Sequence, residues 1–122
     1  MVQPAMTLLS DVMADDLVSP DALARRLHAT KAELAAMAGL SRDAVSKTSR
    51  MRSRATQARM REVTEILARV TGWAGSVMAA YAWYRAQPIP SLGDKTAEEL
   101  VREGRGELVR RYLARIADGG FA

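Results

Sequence analysis

Signals that start and stop helices recur along this chain at intervals that leave room for little besides short helices. Ser19 is an N-cap residue with Pro20 at the first helical position, where a missing N–H costs nothing. Thr30 with Glu33 three residues on forms a capping box, and Gly39 supplies the residue tolerant of positive φ that ends the helix so opened. Ser41 opens the next one. Thr96 and Glu99 repeat the capping box ahead of a short helix ended by Gly104. Between these marks the apolar residues keep helical spacing. Leu8, Leu9, Val12 and Met13 place a first helix over Met6 to Leu17, and Leu23 and Leu27 form an i, i+4 pair. Met60, Val63, Leu67 and Val70 mark the buried stripe of a helix expected to stop at Gly72. Trp73, Val77, Tyr81 and Tyr84 share a face of the following helix, which must finish before Pro88 because the residue preceding a proline disfavours the α region. Gln87 to Gly93 reads as a loop held extended by Pro88 and Pro90, and a last helix buries Leu108, Val109, Tyr112, Leu113 and Ile116 before breaking at Gly119 and Gly120. Alternating β-branched segments bounded by hairpin signals are missing. The expectation is an all-α protein of about six helices.

Length and composition narrow the function. A chain of 122 residues can build a hydrophobic core without disulfide or metal staples. With no cysteine and a single histidine, His28, it can assemble neither a thiolate site, nor a Cys/His zinc site, nor a His-paired nucleophile. His28 follows Leu27 at the end of a helical stretch, where a solvated or capping histidine is the ordinary reading. No constellation of nucleophile, base and orienting group is visible, so an enzyme is not expected, nor a cofactor. The segment Met1 to Thr7 has no basic leader region, and no apolar run approaches the roughly 18 residues that span a bilayer, so a cytoplasmic protein without a membrane partner is expected. The formal charge of +4 is unevenly spread. From Arg42 to Arg61 seven cations stand against the single Asp43, a net +6 that leaves the remainder of the chain at −2. Such a concentration favours a polyanion partner.

The basic stretch begins inside the most specific local signal, Lys31 to Arg50. Two short helices crossing steeply need a small residue at their approach, a turn residue tolerant of positive φ, and apolar anchors behind. Ala35 supplies the first, Gly39 the second, and Leu34, Ala38, Leu40 and Val45 the third. This is the pattern of a helix-turn-helix. In its second helix Ala44, Val45 and Thr48 are expected inward, while Ser41, Arg42, Asp43, Ser46, Lys47 and Arg50 are placed to meet phosphates or base edges in a major groove. Arg52 and Arg54 follow directly, where phosphate contacts would fix the register.

Downstream, Trp83 closes a helix, a Pro88 to Gly93 loop follows, Thr96-Ala97-Glu98-Glu99-Leu100 starts the next helix, and the chain closes on Ile116-Ala117-Asp118-Gly119-Gly120-Phe121. This stretch resembles the toxin-binding domain of the Xre/MbcA/ParS antitoxins, the partners of RES-domain toxins. With the helix-turn-helix the resemblance extends over roughly Ser19 to Ala122. The family often has Pro-Asn in the loop, whereas here Ile89 follows Pro88.

The resemblance implies a toxin that degrades NAD or transfers its ADP-ribose and is blocked when the antitoxin covers its cofactor cleft. Residues fitted to that contact are Trp83, Arg85, Pro88 and Leu92, then Arg111 and Arg115 on the last helix, and the end Asp118, Gly119, Gly120, Phe121 and Ala122. Tyr81 and Tyr84 continue the Trp73 and Val77 stripe and are expected in the core, and Arg110 is expected outward beside Arg111 and Arg115. The chain is thus expected to comprise an N-terminal segment (1–18), a helix-turn-helix region (19–71) packed on a C-terminal helical toxin-binding domain (72–122), and to act as a homodimer on operator DNA and on a cognate RES-domain toxin. The alternative is a stand-alone helix-turn-helix regulator whose C-terminal domain only dimerises.

Overall fold

The computed structural model of the chain describes residues 4–119; the expected tail residues Gly120, Phe121 and Ala122 lie outside the described residues. The fold is all-α apart from one tiny hairpin. Helices α1 (Pro4–Val12), α2 (Pro20–Arg26), α3 (Lys31–Ala38), α4 (Arg42–Ser46) and α5 (Thr48–Met51) precede the long helix α6 (Arg54–Ala74). Helices α7 (Val77–Ala86), α8 (Ala97–Arg102) and α9 (Gly106–Ala117) follow it. Strands β1 (Met13–Ala14) and β2 (Leu17–Val18) pair antiparallel after α1, with Met13 opposite Val18.

The 21 residues of α6 make it about 30 Å long, and α1, α3, α5, α7 and α9 all pack on it. Being surrounded, it buries more than one stripe: Met60, Val63, Ile66, Leu67 and Val70 are fully buried, and so is Thr64. The hydroxyls of Thr64 and Thr71 donate to the carbonyls of Met60 and Leu67, 2.8 and 2.7 Å away, which satisfies them inside the core. One continuous cluster joins Leu8 and Val12 of α1, Leu23 of α2, Leu34 and Met37 of α3, the α6 residues, Tyr84 of α7, Leu100 of α8 and Leu113 of α9.

The expected caps form as read. Ser19, Ser41, Thr30 and Thr96 each accept from the backbone N–H three residues on, and Glu33 and Glu99 return the bond to complete both capping boxes. His28 takes up φ +54 just beyond α2 and is exposed.

Four expectations are corrected. The first helix stops at Val12 rather than Leu17, because Asp15 and Asp16 both take positive φ (52° and 63°) and turn the chain into the hairpin, a conformation aspartate tolerates better than most residues. The carbonyl of Val12 then accepts from Ser19 N–H at 2.7 Å. The helix from the basic stretch runs through Gly72 and stops at Gly75, whose φ of 97° makes the left-handed cap. Trp73 therefore belongs to the last turn of α6 and is 47% exposed, not part of the buried face of α7. The second helix of the expected helix-turn-helix ends at Ser46, since Lys47 is extended (φ −95°, ψ 126°) and starts α5 as a separate turn, and Thr48 is exposed instead of buried.

Candidate functional site

The turn between α3 and α4 has the geometry its residues allow. Gly39 sits at φ +68°. A Cβ there would meet Arg59 Nη1 at 2.9 Å and the Arg102 backbone at 3.0 Å, so glycine serves both the turn and the close approach of α8. Arg59 donates to the Ala38 carbonyl at 2.8 Å and finishes α3. Leu34, Ala35, Ala38, Ala44 and Val45 are buried and Leu40 half-buried, as a packed helix pair requires.

Of the residues nominated for DNA, Ser41, Arg42, Ser46 and Lys47 lie exposed on α4 or at its ends, and Asp43 is half-buried with Lys47 3.9 Å from it. Arg50 lies on α5, Arg52 caps it, and Arg54 begins α6; all three are exposed. Among the described residues Arg42, Arg50, Arg52 and Arg54 take part in no ion pair. The cations are thus distributed over α4, α5 and the first turn of α6 rather than along one recognition helix.

Gln57, which the sequence did not mark, sits behind this surface and is 8% exposed. Its amide accepts from Val18 N–H at 2.8 Å and donates to the Val18 carbonyl at 3.1 Å, as a neighbouring strand would, and it also donates to the Met51 carbonyl at 2.9 Å. It ties the hairpin and the end of α5 to α6. Only its position among apolar residues in a helix could have hinted at this role.

At the C-terminal side, α7 buries Val77, Ala80, Tyr81 and Tyr84. The Tyr84 hydroxyl donates to the Met37 carbonyl of α3 at 2.7 Å. Burial pushes its ionisation far above the ordinary phenol range, so it remains a donor at any physiological pH. Arg85 lies over the Tyr81 ring, 5.4 Å from its centroid, and 3.6 Å from Glu98. Trp83 is half-buried and meets Trp73 edge to face, with ring centroids 5.7 Å apart and planes at 89°.

In the loop Pro88 is exposed, Ile89 is buried and paired with Lys95 through its N–H at 2.9 Å, and Pro90 to Leu92 form a 3-10 turn that leaves Leu92 half-buried. The departure from Pro-Asn at Ile89 thus places an apolar anchor under the loop. Lys95 pairs with Glu103, and its hydrogen bond holds the Glu103 carboxyl below its ordinary range. On α9, Val109 and Leu113 are buried, whereas Leu108, Tyr112 and Ile116, expected in the core, are only half-buried. Arg110 is not outward with its neighbours: it is half-buried and pairs with Glu62 of α6 at 3.0 Å. Gly106 opens α9 because a Cβ there would fall on the Glu62 carboxylate. Arg111 pairs with Glu107 at 2.9 Å, and Arg111, Arg115, Asp118 and Gly119 are exposed.

Residues 71–119, which take in the last turn of α6 and everything through α9, match the family model of the antitoxin Xre/MbcA/ParS C-terminal toxin-binding domain. Over this part, about two fifths of its length, the chain is similar to the toxin-binding domain of that antitoxin family. The matched residues include α7, the proline loop, α8 and α9. No curated protein and no solved structure matches the chain. Among the described residues no helix is long and apolar enough to cross a membrane, and no group of three or more histidine or acidic side chains is placed to hold a metal.

Proposed function

We propose that this protein is the antitoxin of a type II toxin-antitoxin pair in the cytoplasm, that it neutralises a RES-domain toxin by covering the cleft where that toxin consumes NAD or transfers its ADP-ribose, and that it represses its own operon. The observation that carries the first part is the toxin-binding domain match over 71–119. Trp83, Arg85, Pro88 and Leu92 form one contact region of this reading, and Arg111, Arg115 and Asp118 to Ala122 the other. An aromatic and arginine composition with polar neighbours suits a protein interface.

Repression rests on the packed α3-turn-α4 pair and on exposed Arg42, Lys47, Arg50, Arg52 and Arg54, with Ser41, Asp43 and Ser46 beside them. A homodimer would present two such sets to an inverted repeat. The test is coexpression with the product of the adjacent gene. The expected result is a copurifying complex in which that product consumes NAD only after the antitoxin is removed. A product that neither binds this chain nor consumes NAD when freed from it would overturn the pairing.

A further inference from the structure

The fifteen residues from Val70 to Tyr84 carry no charged side chain, in a chain of which 26% of residues are charged. They form the corner where α6 ends at the Gly75 cap and α7 begins. Half of this run is core, but the other half faces out. Trp73 is 47% and Met78 43% exposed, the exposed large hydrophobic residues among those described. Trp83 stands against Trp73 edge to face, and Ala79, Ala82 and Ala86 continue the exposed stripe of α7 beside Met78. Arg85, the one charge on α7, is drawn over Tyr81 toward Glu98. An uncharged run with exposed aromatic and apolar side chains, flanked in sequence by Arg69 and Arg85, has the composition of an interface centre and its rim.

We infer that this corner, Trp73 with Met78 and Trp83, is the anchor on which the toxin docks, through an uncharged apolar recess on the toxin that receives the tryptophan pair. The inference rests on the antitoxin reading above and names its principal contact. What selects the toxin as occupant is continuity with the toxin-binding domain. Its match begins at Thr71, one residue into the uncharged run, and so includes the turn of α6 that bears Trp73 although α6 otherwise lies outside the domain. The T-shaped pair holds both rings in place before binding, which lowers the entropic cost of ordering them.

The test is titration of the full chain with the product of the adjacent gene. Trp73→Ala is expected to weaken binding about thirtyfold, the size of a central aromatic anchor, and Met78→Glu, which sets a charge in the recess, by at least as much. Both side chains are exposed enough for the variants to keep the far-UV spectrum of the parent. Arg25→Ala, on an exposed position of α2, should bind as the parent does. Variants that bind within threefold of the parent overturn the inference. So does a loss of self-association on light scattering with toxin binding unchanged, which would assign the face to a second copy. A parent chain that fails to bind that product overturns the pairing itself, an outcome distinct from failure of the face alone.

Discussion

Gln57 shows how much one side chain can fix. Its amide satisfies the N–H and carbonyl of Val18 and the carbonyl of Met51, three main-chain groups that would otherwise lack partners. Leucine has nearly the same volume and no polar atoms. Gln57→Leu should therefore lower stability by about 3 kcal/mol, the usual cost of leaving buried donors and acceptors unpaired, and urea unfolding monitored by circular dichroism measures it. The same variant should free the segment that joins α5 to α6, so trypsin should cut at Arg50 and Arg52 several times faster than in the parent. A loss under 0.5 kcal/mol with unchanged cleavage would show that water replaces the amide. At residue scale this role was not legible, because glutamine in a helix reads as solvated until the fold sets a hairpin beside it. The capping residues were legible for the opposite reason. The bonds of Thr30 with Glu33 and of Thr96 with Glu99 span three residues and need no tertiary partner.

Element ends marked by capping residues were read correctly, whereas ends set by packing or by a turn without glycine or proline were not. Gly72 and Gly75 are equally plausible stops in the sequence. Burial of Val70 and Thr71 continues α6 past the first, and only the second has the left-handed cap. The break at Lys47 has no glycine or proline to announce it. That break matters for the proposed DNA contact, since Arg50, Arg52 and Arg54 are carried by α5 and the start of α6 instead of extending α4. Phosphate contacts from such a cluster are sequence-independent. Changing all three to alanine should weaken binding to operator and unrelated DNA alike, and reduce the slope of log Kobs against log salt by about 3. Band-shift titrations over a salt series decide it, and an unchanged slope would remove the cluster from the DNA surface. The start of α3 carries a pH dependence. The Thr30 N–H, then the Thr30 hydroxyl, holds the Glu33 carboxyl below its ordinary range, with Arg85 adding a smaller pull. Because the folded value is the lower one, the stabilisation is complete above the ordinary carboxyl range and is lost as pH falls through the folded value. Glu33→Ala should melt below the parent at pH 7, and the gap should close toward pH 3. An equal gap at both pH values would assign the effect to packing.

For the whole molecule, the residues proposed for DNA lie on α4, α5 and the start of α6 and those proposed for the toxin on α7, the proline loop and α9, but the structure beneath the two sets is shared. Tyr84 of the toxin-binding segment donates to Met37 of α3, Gly39 of the α3–α4 turn lies against Arg102 of α8, and Arg110 of α9 pairs with Glu62 of α6. Helices α3, α6, α7, α8 and α9 all contribute to one continuous core. A fold joined in this way should unfold in one step. Both tryptophans, Trp73 and Trp83, lie within residues 71–119, so their fluorescence reports the toxin-binding segment, whereas far-UV circular dichroism reports every helix. The two probes should give superimposable urea transitions. Tyr84→Phe, which removes only the bond to Met37, should shift both by the same amount, about 1 to 2 kcal/mol for a buried hydroxyl donor. The shift should appear undiminished in circular dichroism even though the altered residue lies in the segment the tryptophans watch. A fluorescence transition that moves while most of the helical signal stays in place would instead mean that segment 71–119 melts by itself, and that toxin binding could then order it without touching the helices proposed to face DNA.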